Sequence, residues 1–124
     1  MPRLMAVALT TGQVRDRSKT VTRRHGWLML KPGDIITLCE KTRGRKPGEP
    51  LVRITDVTIV SVRREPLSAI TEADVTAEGF PGWSVADFIG FFTRSHPDCG
   101  PQTQVTRIEW TYPDLPDSAP EAVP

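Results

Sequence analysis

Cysteine is scarce in this chain: two thiols, Cys39 and Cys99, in 124 residues. They form no CxxC pair and no framework of crosslinks, and a reducing compartment would leave both as free thiols. With His25 and His96 they make four potential zinc ligands, but the four are scattered without ligand spacing. No metal and no cofactor is therefore expected. Long apolar runs are also missing, and none approaches the roughly 20 residues of a membrane span. Met1-Pro2-Arg3 opens without the apolar core and cleavage site of a signal peptide, so a cytoplasmic protein with no membrane partner is expected. Long uninterrupted segments are rare too, because 12 prolines and 9 glycines cut the chain into short pieces. Short strands and turns follow from that. From Pro113 to Pro124 large apolar residues all but disappear among Pro, Asp, Glu and Ala. That tail is expected to be disordered, leaving one domain over residues 1–112, long enough to bury roughly two-thirds of its unfolded surface.

Net charge is nearly absent as well, at +1, but the small total hides a division. Residues 1–64 carry 14 Lys or Arg against 5 Asp or Glu, and residues 65–124 carry 2 against 10, so a half at +9 precedes a half at −8. Two readings of this division are open. The basic half forms a surface for phosphates or nucleic acid, or the halves neutralise one another across the fold.

The densest cationic stretch is Lys19-Thr20-Val21-Thr22-Arg23-Arg24. Its alternation of hydroxyl and β-branched residues reads as a strand, with Thr20, Thr22 and Arg24 on one face and Lys19, Val21 and Arg23 on the other. A cationic strand suits an anionic ligand better than a core. Gly26 to Asp34 follows as a buried hairpin closed by the Lys31-Pro32-Gly33-Asp34 turn, where Pro presets one φ and Gly supplies a positive one.

Elsewhere, Leu4 to Leu9 reads as a first strand, Thr10 to Ser18 as a short helix or turn, and Ile35 to Glu40 as a buried strand. Residues 41–50 form a basic loop holding Arg43 and Arg45. Leu51 to Val62 is a strand whose period shifts near Asp56, suggesting a bulge there. Thr71-Glu72-Ala73-Asp74 is a capping box, with Ile70 and Val75 at staple spacing and Gly79 as the helix stop. A second helix starts at Ser84 and places Val85, Phe88, Ile89 and Phe92 on one face. Val105, Arg107 and Glu109 alternate with Thr106, Ile108 and Trp110 in a last strand. The sum is an α+β fold: a small β-barrel with short helices packed against it.

Ser18 to Arg24 resembles the GxKTxTxR-type signature of ASCH domains, members of the PUA-like superfamily. Leu30 to Asp34 resembles the PGD turn that follows it there. Val60 to Leu67, Glu78-Gly79-Phe80-Pro81 and Val105 to Trp110 also resemble segments of phage and bacterial ASCH proteins, in the same order over residues 4–112. Ser18 departs from the glycine-containing pair that many members place before the lysine. The resemblance implies a PUA-like barrel with a cleft for RNA, single-stranded nucleic acid or a modified nucleoside, in a monomer. Some small ASCH proteins are amidohydrolases on N4-acetylcytidine, using a Lys, a Thr and a Glu. These map onto Lys19, Thr22 and Glu78, with Arg17, Arg23, Arg24, Trp27, Arg43 and Arg45 as ligand-binding residues. A non-catalytic RNA or modified-base module and an ASCH-type ribonuclease are the alternatives.

Chemically, amide hydrolysis needs a nucleophile, a base and a group for the oxyanion. Thr22 offers a hydroxyl, and burial could bring the Lys19 amine toward neutrality. An ideal strand would hold these two apart, so they converge only if Lys19 lies in the turn before the strand. Glu78, at a helix end where its charge opposes the macrodipole at about 0.3–1 kcal/mol, would orient Lys19; an exposed glutamate is the simpler alternative. Trp27 and Trp83 could stack on a base or serve as packing residues. Each of Lys19, Thr22 and Glu78 is expected to be replaceable by alanine at about 1 kcal/mol.

Overall fold

A computed structural model describes residues 2–113. The tail from residue 114 onward, expected to be disordered, lies outside the described residues. Five strands, β1 (Arg3–Ala6), β2 (Val21–Arg24), β3 (Ile35–Cys39), β4 (Arg53–Pro66) and β5 (Gln104–Thr111), form one sheet in the order β1-β3-β4-β5-β2. Only β1 and β3 run parallel. The sheet curls into a half-barrel with β1 and β2 at its free edges, and the Arg24 guanidinium donates to the Ala6 carbonyl across the gap between them. The α+β expectation holds, as an open half-barrel.

Among the described residues there are also three α-helices, α1 (Thr11–Arg15), α2 (Glu72–Ala77) and α3 (Val85–Ser95), and a 3-10 turn over Leu67–Ala69. Strand β5 explains how they attach. Ile108 and Trp110 point into a core shared with Met5, Val7, Leu38, Val57 and Ile59. Its other face carries Val105 into a second core with Leu67, Ile70, Val75, Phe88 and Phe92. The strand is buried on both sides, so its two-residue period feeds two cores at once.

The helix signals behave differently from one another. Ser84 and Asp87 form a complete capping box at α3. At α2 only half of the expected box exists: the Thr71 hydroxyl accepts from the Asp74 amide at 3.2 Å, while the Asp74 carboxylate binds Arg107 and Arg23 instead. Ile70 and Val75 meet in the second core as the staple requires. The β4 irregularity expected near Asp56 is present on both sides of it: Ile54 is the extra residue against the Leu38/Cys39 step of β3, and Val60 is the extra residue between Ile59 and Ser61 against β5. Gly26 to Asp34, by contrast, is not a buried hairpin. After β2 the chain leaves the sheet through Gly26 (φ +112) and Trp27 (φ +56), and Leu28 and Met29 stand exposed while Leu30 is buried. Two consecutive positive φ values turn the backbone out of the strand direction before a hairpin can pair.

Candidate functional site

The KTVTRR stretch meets its partners at the free edge of β2. The strand starts at Val21, so Lys19 sits in the turn before it. That turn is clamped from several sides. The Lys19 amide donates to Gln13 O at 3.1 Å and the Thr20 amide to Ala77 O at 2.8 Å. The Lys19 carbonyl accepts from Trp110 Nε1 at 3.1 Å and from the Tyr112 hydroxyl. With its backbone fixed, the Lys19 side chain is 3% exposed and donates to Glu78 twice, at 2.9 Å to Oε1 and 2.9 Å to the carbonyl oxygen.

Glu78 occupies the C-cap of α2 and is itself 3% exposed. Gly79 follows at φ +105, and a Cβ there would lie 2.7 Å from Gln13 Cγ. This glycine is required both by the left-handed turn and by the close approach of α1. The exposed-glutamate alternative is therefore set aside: the carboxylate is buried and paired.

Arg23 is the hub of the site. Its Nη1 donates to Glu78 Oε2 at 3.1 Å, and its Nη2 donates to Glu65 Oε2 at 2.8 Å and to Asp74. Arg107, its direct partner across the β2–β5 ladder, grips Asp74 with two bonds of 2.8 and 3.0 Å. Arg63 Nε reaches Glu65 Oε1 at 2.8 Å. The arginines at these register positions form a row across β2, β5 and β4, interleaved with carboxylates from β4 and α2. Charge-assisted bonds of this kind are the stronger ones. At this point the basic half of the chain neutralises the acidic half, one of the two readings left open by the sequence.

These contacts set the proton affinities. Bonds from Arg107, and then from Arg23, outweigh burial and hold Asp74 well below the usual carboxylate range. Burial would raise Glu65, but Arg63 and Arg23 bring it below its usual value. Lys19 is pulled below the ordinary lysine range by burial first, against the attraction of Glu78, with Arg24 and Arg23 adding to the fall. Arg24 is likewise lowered by burial against Glu78.

Between the two edge strands, with α2 and α3 over it, lies a cavity of about 230 Å³. Lys19, Thr22, Arg23, Arg24 and Glu78 line its polar end, and Phe80, Phe88, Phe91 and Phe92 its apolar wall. Since β2 is the outermost strand, residues from both of its faces reach the space along its free edge. Thr22 is 4% exposed, and no protein group among the described residues hydrogen-bonds its hydroxyl.

The remaining expected residues lie outside the cavity lining. Arg17 stacks over Tyr112 at 5.3 Å and donates to Pro113 O at 2.9 Å. Trp27 packs on the half-barrel core. Arg43 and Arg45 stand exposed in the 41–50 loop. Trp83 packs on Phe80, with ring centroids 4.6 Å apart, and on Phe91. Among the described residues no group of three or more His, Cys, Asp and Glu side chains could hold a metal ion, and no helix is long and apolar enough to cross a membrane. Glu65, Arg107 and the phenylalanine wall were not anticipated as site components, and Asp74 only as a substitute for Glu78. The misleading signal was Asp74, whose place in a capping box accounts for an acid there without any cation.

No family model and no curated protein matches the sequence. Solved structures do match in shape. The chain superposes on a high-resolution crystal structure of an ASCH domain from Lactobacillus crispatus with a TM-score of 0.57, 16% identity, and coverage of 89% of this chain and 79% of that one. This protein has the ASCH fold. An Enterococcus faecalis protein described by the family model DUF984 gives a TM-score of 0.64 at 14% identity, covering 90% of this chain and 80% of that one. At such identities the likeness speaks for the ASCH architecture alone, and chemistry has to be argued from the side chains.

Proposed function

We propose that the cavity binds a single pyrimidine nucleoside and that Lys19, Thr22 and Glu78 hydrolyse an acyl amide on it, with N4-acylated cytidine as the substrate class. The observation that carries this reading is the pair of bonds from Lys19 Nζ to Glu78. A neutral amine has two N–H donors and one lone pair. Glu78 Oε1 and Glu78 O take the two donors, which leaves the lone pair for a proton from another group lining the cavity. Thr22 supplies that group. Burial favours the neutral amine by lowering the Lys19 pKa.

In the reaction, the Thr22 oxygen attacks the acyl carbonyl as its proton passes to Lys19. The ammonium so formed faces the Glu78 carboxylate and returns the proton to the departing cytosine amine. Water then releases the acyl group from Thr22 as a carboxylic acid, with Lys19 again taking a proton. The size of the cavity supports one base-sized ligand, since sites for larger molecules run to roughly 300–1,000 Å³. The phenylalanine wall supports a flat one, as stacking on aromatic side chains contributes about 1–3 kcal/mol per base.

The test is conversion of N4-acetylcytidine to cytidine, followed by chromatography beside a labelled single-stranded RNA. Turnover of the nucleoside is expected, with Thr22→Ala lowering the rate by a factor of hundreds or more. Binding of N4-acetylcytidine without turnover would replace this reading with a modified-base binding module, and cleavage of the RNA would replace it with a ribonuclease.

A further inference from the structure

The cationic groups at and beside the cavity differ in how they are paired. Arg23 and Arg107 share the carboxylates of Glu65, Asp74 and Glu78, and Lys19 is held by Glu78. Arg24 forms no ion pair among the described residues, and its one bond goes to the neutral Ala6 carbonyl. It lines the cavity. An unpartnered donor accompanies this unpaired guanidinium: Arg23 Nε is buried without any hydrogen-bond partner. Cations shielded from water are ordinarily paired, because the desolvation cost is otherwise uncompensated.

We propose that the cavity is built for an acidic ligand, a flat base-sized body carrying one oxyanion group that pairs with the Arg24 guanidinium. The proposal rests on the preceding reading only for the size of the ligand, while the charge comes from the ion pairs alone. A guanidinium presents a planar fork that matches a carboxylate or a phosphate ester. A carboxylate matches one unpaired guanidinium, whereas a phosphate ester carries about −1.5 to −2 near neutral pH.

Calorimetric titration of the full chain with two matched pairs of probes tests this. Orotate against uracil isolates a carboxylate, and cytidine 5′-monophosphate against cytidine isolates a phosphate ester. At least one anionic probe is expected to bind tenfold or more tighter than its neutral partner, with orotate showing the larger gain. Arg24→Met, similar in length but uncharged, is expected to remove that gain, and Arg24→Lys to keep part of it. Equal binding within each pair by the wild-type protein overturns the proposal whether or not any variant folds, as does a full preference surviving in a folded Arg24→Met. Turnover of N4-acetylcytidine without anion preference would reject the acidic ligand and leave the hydrolytic reading standing. Anion preference without turnover would do the reverse.

Discussion

At the residue scale, the three expected catalytic side chains differ in what holds them. Thr22 is a small hydroxyl facing a cavity, and Thr22→Ala should cost within about 1 kcal/mol, as the sequence suggested for all three. Lys19 and Glu78 are buried partners, so the same expectation fails for them. Removing one member of a buried pair leaves the other uncompensated and typically costs about 3–5 kcal/mol. Arg23 is the extreme case, because three carboxylates depend on it. Arg23→Met should lower the thermal midpoint by more than about 10 °C, at roughly 4–8 °C per kcal/mol for a domain near this size. A smaller shift in a calorimetric scan would mean that the carboxylates find other partners. Acid should act on the same cluster. Asp74 and Glu65 bind protons less readily folded than unfolded, where their values are about 3.9 and 4.3. The unfolded chain therefore takes up protons first as pH falls. The stability these two groups supply is complete above about pH 4.3 and declines below it. Urea midpoints measured from pH 6 down to pH 2 should fall steeply below that point in the wild-type protein and less so in Asp74→Asn.

At the element scale, the site depends on how α2 ends. Gly79 turns the chain with a positive φ directly after Glu78, and the Gln13 side chain lies against it and donates to its carbonyl at 3.2 Å. In Gly79→Ala the left-handed conformation costs about 1–2 kcal/mol, and the contact with Gln13 adds to that. A drop in urea midpoint equivalent to about 2 kcal/mol or more is expected, and an unchanged midpoint would show that α1 yields freely. The sequence was informative where one residue type has one structural use. Ser84 with Asp87 marked a helix start, Gly79 marked a helix end, and the polar run before Val21 allowed the turn that places Lys19 in the same cavity lining as Thr22. It was uninformative where one residue serves two structures. Asp74 reads as half of a capping box, but its carboxylate completes an ion cluster with arginines 51 and 33 residues away in the chain. Nothing local to Asp74 signals those partners, because they are specified by strand register. The bulge shows the same division: the hydrophobic period of β4 reveals a shift near Asp56, while the two neighbouring strands decide that it falls at Ile54 and at Val60.

At the scale of the whole molecule, opposite charges from the two halves of the sequence meet in one buried cluster, which leaves Arg43 and Arg45 outside it on an exposed loop. This separates two kinds of binding. A free neutral nucleoside in the cavity should bind almost independently of salt. Any association with single-stranded RNA should weaken linearly on a logarithmic salt scale, and Arg43→Ala with Arg45→Ala should reduce that slope by up to about two if both touch phosphates. Filter binding between 50 and 200 mM salt checks this, and an unaltered slope in the double variant would remove the loop from the interface. The strand order carries a consequence for how the protein is made. Strand β2 pairs with β5 alone, and the Lys19 carbonyl is held by Trp110 and Tyr112. A ribosome synthesises the KTVTRR segment early and its strand partner about eighty residues later. Throughout that interval the segment has no sheet to join, although the acids that pair with its cations, Glu65, Asp74 and Glu78, have by then been made. The cleft is thus absent from the nascent chain until β5 leaves the exit tunnel, so the pocket and the finished domain arrive together.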